Sequence, residues 1–284
     1  MRIGLAYFPT DYGIDIRELA RAAEERQFES LLLPEHTHIP TSRRSPFPRG
    51  GELPKCYSHT HDPFVALSFA AAVTSRILLG TGVCLVPQHD PIVTAKSVAS
   101  LDQLSNGRVL FGIGGGWNVE EMENHGARYD TRFKLMRERV LAMKALWTQE
   151  EAAFHGQMVN FDPVWLYPKP RQQPHPPILL GGPSDYTLKR VVEFCDGWLP
   201  IARTGFNDPN AFNAKDAVAR LRRAAEEGER DFSTLSISAF GAPDDEAVLD
   251  QYRKAGIYRA LLMVPDLTRD EILKVIDRYA RLVR

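Results

Sequence analysis

The amino-acid sequence predicts a (β/α)8 barrel, a closed ring of eight parallel strands with a helix after each strand. Short apolar segments that favour strands alternate with helical segments along the 284 residues. Such regular alternation implies a parallel sheet. Eight strand–helix units can be counted, which favours closure into a barrel over an open doubly wound sheet. We therefore expect one barrel domain over residues 1–284, with insertions after the second and fourth strands.

The first four strands are indicated by apolar runs that lie between turns and helix starts. We predict them at residues 3–8, 30–34, 77–86 and 109–111. Helices between them begin at acidic caps: Asp15 with Glu18 forms a capping-box pattern, and Asp62 and Asp90 each precede a proline. Residues 37–61 are rich in Pro, Gly and Arg and have no period. We interpret them as the first insertion, a long loop of the kind that often carries a function.

The second half of the chain continues this alternation after a longer interruption. Residues 120–147 are predicted to be helical with a break near Gly126, and residues 154–170 have the aromatic alternation and prolines of a small hairpin. The last four strands are predicted at residues 177–180, 197–201, 235–240 and 258–264. The helices after them begin at the Ser184 cap, at Ala211, at Asp244 and at a Thr268–Glu271 capping box.

Composition and charge exclude several classes of protein. Lys and Arg total 35 against 36 Asp and Glu, a net charge of −1, so no global field would attract nucleic acid or an anionic membrane. Cys56, Cys84 and Cys195 are too few and too widely spaced for a disulfide scaffold and are typical of a reducing compartment. The first strand leaves no room for a signal peptide, and no apolar stretch approaches the ~20 residues that span a bilayer. We expect a cytoplasmic protein.

Functional sites of such barrels lie at the C-terminal ends of the strands, where this chain has many glycines. Gly181-Gly182 follows strand five and Ser184 then caps a helix, so free amides and the helix dipole could hold an anion such as a phosphate. A plain glycine turn with a serine cap explains the same residues. After strand four, residues 114–116 leave a surface without side chains beside Trp117, where a planar aromatic ring could approach closely.

A metal site and a nucleophile are the alternatives to a bound cofactor at this end of the barrel. Histidine pairs that could suggest a metal are His36 with His38 after strand two and His59 with His61 in the long loop. A metal-dependent hydrolase needs further ligands at later strand ends, where only Asp266 could serve. Cys84 lies in an apolar predicted strand, and Ser184 has no histidine near it in the motif. We therefore expect no metal and infer redox chemistry carried by an organic cofactor.

Several short motifs, taken in their order, resemble the luciferase-like monooxygenase superfamily. This superfamily includes flavin-dependent monooxygenases and oxidoreductases that use the deazaflavin coenzyme F420. The resemblance runs from residue 3 to about residue 200 and is weaker beyond. Its motifs are PEH at 34–36, DPF at 62–64, ILLGTG at 77–82, LDQLSNGR at 101–108, GIGGGW at 112–117, PPILLGG at 176–182 and DGW at 196–198. The glycine patterns at 112–117 and 176–182 resemble the F420-dependent branch more than the FMN branch.

The resemblance implies a cofactor at the C-terminal mouth of the barrel. A non-proline cis peptide of the family would fall on Gly82–Val83 and support the cofactor ring from behind. His36 would lie at the reacting face, as the strand-two histidine does in related dehydrogenases. The cofactor contacts carried over by this resemblance are Glu35, Gly82, Val83, Gly115, Gly116, Trp117, Asn118 and, for the phosphate, Gly181, Gly182 and Ser184.

In one position the chain differs from a related sugar-phosphate dehydrogenase. That relative has an acidic proton donor after the strand-four glycines, where this chain has Trp117. Neither the acid–base assignment nor that substrate class is therefore carried over.

Four functional hypotheses follow. The favoured one is an oxidoreductase that moves a hydride between reduced F420 and an unknown small organic molecule. His36 would hydrogen-bond or orient the substrate or supply a proton. The second is an FMN-dependent monooxygenase, and the third is a barrel that binds a flavin without catalysis. The fourth is a metal-dependent hydrolase built on His36 and His38. A homodimer is an expectation from the family alone.

Overall fold

The computed structural model describes residues 1–202 and 212–283. Its barrel strands are β1 (Arg2–Ala6), β2 (Ser30–Leu33), β3 (Leu78–Thr81), β4 (Val109–Ile113), β7 (Ile178–Gly181), β8 (Gly197–Leu199), β9 (Ser236–Ala242) and β10 (Arg259–Met263). They pair in parallel in chain order, and β10 pairs with β1 to close the ring. Two further strands, β5 (Ala152–His155) and β6 (Asn160–Val164), form a separate antiparallel hairpin. The predicted fold class is confirmed.

Ten α-helices lie within the part of the chain that the structure describes. They are α1 (Ile16–Glu25), α2 (Cys56–His59), α3 (Pro63–Ala71), α4 (Pro91–Leu104), α5 (Val119–Asn124), α6 (Arg132–Thr148), α7 (Asp185–Phe194), α8 (Ala214–Glu227), α9 (Glu246–Ala255) and α10 (Arg269–Ala280). The predicted helix start at Ala211 lies outside the described residues. Within residues 1–202 and 212–283, no helix combines the length and apolar character that crossing a bilayer requires.

Most predicted helix caps are confirmed. The carboxylate of Asp62 accepts the Val65 amide, Asp90 accepts the amides that follow Pro91, and Ser184 caps α7. The capping box of α10 is complete. At α1 the pattern is only half realised, because Asp15 caps the helix while Glu18 pairs with Arg269 instead.

The strands are buried on both faces, which explains why they read as continuous apolar runs. A small cluster packs inside the barrel, and a much larger one fills the layer between strands and helices. Trp147 belongs to the outer layer, where its indole N–H donates to the Ala95 carbonyl at 2.9 Å. At the N-terminal end of the barrel, Arg259 pairs with Glu29 and also donates to Ser238, which joins β10 to β2 and β9.

Three predicted strands extend two or more residues too far. The first was expected at 3–8, but β1 ends at Ala6. The third was expected at 77–86, but β3 ends at Thr81 and the chain continues through a 3-10 helix at Val86–Gln88. Cys84 therefore lies beyond the strand, in a single bridge to Ile113, and it is fully buried. The sixth was expected at 197–201, but β8 ends at Leu199. After β3, Leu85 and Val86 continue the apolar run because they are buried in the loop that follows, whereas after β8 Ile201 is 62% exposed and forms a single bridge to Phe240.

Both predicted insertions are present. The first is the long loop at residues 37–61, which includes the one-turn helix α2. The second is the hairpin of β5 and β6, which lies between α6 and β7 where residues 154–170 predicted it. The predicted break between α5 and α6 falls at Gly126, which has a φ of +72°. The connection of α5 to β4 brings α5 to the C-terminal end of the barrel.

Candidate active site

The ends of β3, β4 and β7 meet around Val83. The peptide bond between Gly82 and Val83 is cis, as the family resemblance predicted. A methyl group added at Gly114 would lie 2.6 Å from Val83 Cγ2, and one added at Gly181 would lie 3.3 Å from Val83 Cγ1. These glycines are therefore needed because Val83 packs directly against the backbone of the neighbouring strand ends.

The glycine segment after β4 is closely surrounded. A methyl at Gly115 would lie 2.6 Å from the Phe133 ring, and Gly116 has a φ of +74°, which disfavours any residue with a Cβ. The side chain of Gln88 faces Gly116, with its amide nitrogen 3.7 Å from the position that a Cβ would take. Phe133 and Gln88 thus lie against the Cβ side of this segment, and of its three glycines Gly116 is the one that is partly exposed.

His36 is held by a residue that the sequence analysis did not select. Its Nδ1 lies 2.9 Å from Glu121 Oε2, and both side chains are buried. A carboxylate can only accept a hydrogen bond, so the pairing has Nδ1–H donating to Glu121. This contact leaves Nε2 as the ring nitrogen that is available for other chemistry. Glu121 lies in the first turn of α5, where Asn118 Oδ1 caps the helix by accepting the Glu121 amide at 3.1 Å.

Aromatic side chains surround His36 on the side of the long loop. The rings of Tyr57 and Trp117 lie 5.2 and 5.7 Å from the imidazole, measured between centroids. Phe47 contacts both of these rings, and Phe8 lies 4.7 Å from Tyr57. We call these four residues, Phe8, Phe47, Tyr57 and Trp117, the aromatic cluster. All four are partly buried, so the cluster restricts water around His36 without closing the site.

The long loop is fastened at both sides of the barrel mouth. Glu120 accepts the Ser45 amide at 3.0 Å and the Ser45 hydroxyl, and the hydroxyl is the main reason that the pKa of Glu120 falls to about 2. At the other side, the His61 amide donates to the Pro9 carbonyl at 2.7 Å, and His59 pairs with Asp11. The loop is therefore tied to α5 and to the segment after β1.

Glu35 is held by the loop that follows β3. Its Oε2 accepts the Leu85 amide at 2.5 Å, and its Oε1 lies 2.7 Å from His89 Nε2. Burial acts to lower the pKa of His89, but the hydrogen bond and charge of Glu35 outweigh it, so that pKa is raised. Both oxygens of this predicted cofactor contact are thus engaged by protein groups in the loop after β3.

The turn after β7 leads directly into α7. Gly182 has a φ of +132°, and its carbonyl accepts the indole N–H of Trp198 at 2.7 Å. The hydroxyl of Ser184 accepts the Thr187 amide at 3.2 Å and lies 3.1 Å from the Thr187 hydroxyl. Ser184 therefore acts as the cap of α7, and the first amides of the helix point toward the turn.

Several buried polar atoms near the glycine segment have no hydrogen-bond partner within the described residues. They are both amide atoms of Gln88, Asn118 Nδ2, Glu121 Oε1 and Arg132 Nε. Buried polar groups in folded proteins are almost always satisfied, so such a concentration of unpaired atoms indicates a place where a polar ligand completes the bonding. Together with the bare backbone of residues 114–116, these atoms fit a flat ring that carries polar edges.

Two arginines flank the ring of Phe133 next to Gly115. The guanidinium carbons of Arg132 and Arg190 each lie 4.3 Å from the ring centroid. Burial, followed by the charge of Arg132, lowers the pKa of Arg190. Two positive charges beside one ring favour an anion next to either guanidinium group.

A model of the luciferase-like monooxygenase family matches residues 10–276. The chain belongs to this family. Luciferase-like proteins include F420- and FMN-dependent enzymes, and this chain is an oxidoreductase of the luciferase-like type. The confirmed barrel and the cis peptide at Gly82–Val83 agree with the family resemblance of the sequence motifs.

The relatives of this luciferase-like chain include enzymes with different cofactors. An uncharacterized protein of Mycobacterium tuberculosis is 39% identical over 284 residues, which cover 99% of this chain and 98% of the relative. The F420-dependent hydroxymycolic acid dehydrogenase of that species is 30% identical over 180 residues, covering 62% of this chain and 48% of the dehydrogenase. The FMNH2-dependent dimethylsulfone monooxygenase of Pseudomonas putida is 33% identical over 123 residues, which cover 42% of this chain and 34% of the monooxygenase.

Solved structures with the same luciferase-like fold are similarly varied. The monooxygenase RslO1 from Streptomyces bottropensis has a TM-score of 0.79 at 20% identity, covering 99% of this chain and 98% of that one. An F420-dependent secondary alcohol dehydrogenase in complex with an F420-acetone adduct has a TM-score of 0.75 at 16% identity. The match covers 100% of this chain and 99% of the dehydrogenase. At these identities the likeness concerns the fold alone.

The structure brings together His36, Gly115, Gly116, Trp117 and Asn118 of the predicted residues. It directs Glu35 elsewhere, and it separates the histidine pairs that suggested a metal. His38 contacts Thr37 and Asn124 while His36 contacts Glu121, and His59 pairs with Asp11.

Seven residues near the mouth were missed in the sequence analysis of this luciferase-like chain: Phe8, Phe47, Tyr57, Gln88, Glu121, Arg132 and Arg190. Only Glu121 had a usable signal. The spacing from Asn118 to Glu121 is that of a helix cap and the third residue of the helix, which places the glutamate in the first turn.

Proposed function

We propose that this chain is an F420-dependent oxidoreductase that transfers a hydride between reduced deazaflavin and a small organic substrate. The observation that carries the proposal is the group of unpaired buried polar atoms beside bare glycine backbone, namely Gln88, Asn118 and Glu121 next to residues 114–116. A planar heterocycle with carbonyl and N–H edges would satisfy these atoms and lie against the glycines. The F420-dependent relative adds support for the deazaflavin.

The residues that would hold the cofactor fall into two groups. Val83, Gly115 and Gly116 would support the ring, and Gln88 with Asn118 would bind its polar edges. For the phosphate, the amides after Gly182 at the start of α7 and the guanidinium groups of Arg132 and Arg190 offer positive charge. When bound, reduced F420 supplies a hydride.

The chain's own contribution to catalysis centres on His36. Glu121 accepts from Nδ1 and so fixes the tautomer and the orientation of the ring. With the proton on Nδ1, Nε2 is an acceptor, so it would take the hydroxyl proton of an alcohol substrate as the hydride leaves for the oxidised cofactor. In the reverse direction the ring, then protonated on both nitrogens, would return that proton to the substrate oxygen as negative charge develops there. A placed general acid or base of this kind contributes about 10²–10⁴-fold.

The aromatic cluster supports a substrate class. Phe8, Phe47, Tyr57 and Trp117 line the side of His36 that faces the long loop, and they offer apolar surface with a single phenol hydroxyl. Such surroundings favour an uncharged, largely apolar substrate with one oxygen for His36 to bind. A carbonyl compound or the corresponding alcohol meets this description.

A titration of the purified full-length chain with F420, FMN and FAD tests the cofactor. We expect saturable binding of F420 that is tighter than that of either flavin, followed by fluorescence or by the deazaflavin band. Turnover would then be followed with reduced F420 and a panel of apolar aldehydes and ketones, with oxygen uptake recorded in parallel. Tighter FMN binding with oxygen uptake would instead support the FMN-dependent monooxygenase. Binding of neither cofactor would refute the proposal.

The anion site has its own matched pair of variants. Arg132→Gln removes a charge beside the glycine segment, whereas Lys134→Gln removes an exposed charge two residues further along α6. Hydrogen bonds to charged groups contribute roughly 1.5–3 kcal/mol, so Arg132→Gln should weaken F420 binding about tenfold or more. Equal dissociation constants for the two variants would remove Arg132 from the cofactor site.

A further inference from the structure

A cluster of three potential metal ligands lies at the end of β2 and in the loop after β3. Glu35, Cys84 and His89 each offer one ligand atom, and these atoms lie within 4.8 Å of one another. Cys84 is fully buried and Glu35 is 3% exposed. The His89 side chain keeps 21% of its surface exposed, so the cluster is open to solvent on one side.

The distances suit a small tetrahedral ion. Zinc binds nitrogen and oxygen at about 2.0–2.2 Å and sulfur at about 2.3 Å, which separates tetrahedral ligand atoms by roughly 3.3–3.8 Å. The three ligand atoms lie within 4.8 Å of one another, so side-chain shifts of about 1 Å would bring them to this spacing. The 2.7 Å contact between Glu35 Oε1 and His89 Nε2 would have to widen. Glu35 Oε2 would keep its hydrogen bond from the Leu85 amide, which orients the carboxylate from behind.

The charges around the cluster also balance. A glutamate and a thiolate would neutralise a divalent ion, with a neutral imidazole as the third ligand. Asp62 and Arg139, the nearest other charged groups acting on His89, are of opposite sign. Binding would displace the proton of the Cys84 thiol to solvent and place the metal on the resulting thiolate. No oxidation or reduction is involved.

We propose that Glu35, Cys84 and His89 form a site for a divalent metal ion of the zinc class, with water as the fourth ligand. The ion would join the end of β2 to the loop after β3, because Glu35 follows β2 whereas Cys84 and His89 follow β3. An ion that joins these two segments would act as a structural site. The proposal does not depend on the identity of the redox cofactor.

Cobalt titration tests this proposal directly. The full-length chain, reduced and freed of metal with a chelator, would be titrated with Co²⁺ alone and followed by absorption spectroscopy. We expect a thiolate-to-cobalt charge-transfer band that saturates at one equivalent per chain and disappears when Zn²⁺ is added. Absence of this band in the wild-type protein would overturn the proposal.

Matched cysteine variants assign the band to the cluster. Cys84→Ser should remove the charge-transfer band, whereas Cys195→Ser, at an equally buried cysteine after α7, should leave it unchanged. His89→Gln, at a partly exposed position, should weaken Co²⁺ binding at least tenfold and serves if Cys84→Ser fails to fold. A band that persists in Cys84→Ser, or unchanged affinity in His89→Gln, would place the metal elsewhere and refute the assignment.

Discussion

The buried contact between His36 Nδ1 and Glu121 Oε2 leads to a quantitative prediction. Glu121 is fully buried and His36 is 8% exposed, so their 2.9 Å hydrogen bond is shielded from solvent. A hydrogen bond to a charged group contributes about 1.5–3 kcal/mol. Since about 1.4 kcal/mol corresponds to a tenfold change in rate, Glu121→Gln should lower kcat about 10- to 150-fold. The substitution preserves side-chain volume, so the loss would arise from the changed partner of His36.

The expected loss has two independent readouts. Steady-state turnover with reduced F420 and an accepted carbonyl substrate should show the effect in kcat, with little change in the dissociation constant of the cofactor. Nitrogen NMR of the histidine ring should show the Nδ1–H tautomer in the wild type and its loss in Glu121→Gln. Glu123→Gln, an exposed change on the same helix, is the control. If the two variants have equal kcat values and equal histidine spectra, Glu121 does not position His36.

Three further predictions concern stability. Gly114→Ala should lower the free energy of unfolding, measured by urea denaturation, by about 1–3 kcal/mol, because the added methyl would lie 2.6 Å from Val83. Adding Val83→Ala to the same chain should restore part of this lost stability. The hydrogen bond from Ser45 lowers the pKa of Glu120 from 4.5 to about 2. The ionised carboxylate therefore stabilises the fold above pH 4.5, and this contribution is lost as the pH falls toward about 2. The Tm values of the wild type and of Glu120→Gln should differ at about pH 7 and converge in acid. Arg259→Ala should cost about 3 kcal/mol because it removes a buried guanidinium and leaves the partly buried carboxylate of Glu29 unpaired. A loss below about 1 kcal/mol in urea denaturation would contradict this.

Local sequence signals predicted the fold well because they act within a few residues. Asp62-Pro63 and Asp90-Pro91 satisfy free amides at the start of their own helices, so α3 and α4 begin where expected. The end of β3 could not be predicted from local sequence signals. Residues 82–86 are as apolar as the strand, and what removes them from the sheet is the packing of Val83 against strand ends that are distant in sequence.

The candidate site was predictable only in part for the same reason. The position of His36 follows from the end of β2 and the rule that barrel sites lie at C-terminal strand ends. Its partner Glu121 is 85 residues further along the chain, and the two meet only because α5 crosses the barrel mouth after β4. Glu35, adjacent to His36 in the PEH motif, turns in the opposite direction toward His89. Neighbours in a motif therefore need not share a site.

The short helix α5 links the long loop to the candidate catalytic histidine. Its consecutive glutamates point in different directions: Glu120 binds Ser45 of the loop, and Glu121 binds His36. Asn118 caps the helix through the Glu121 amide, so the cap and both contacts depend on a single turn of backbone. Release of Ser45 would remove the contact that fixes one side of this turn. We infer that the loop and the orientation of His36 are coupled through α5, because an isolated helix of this length has little stability without its contacts.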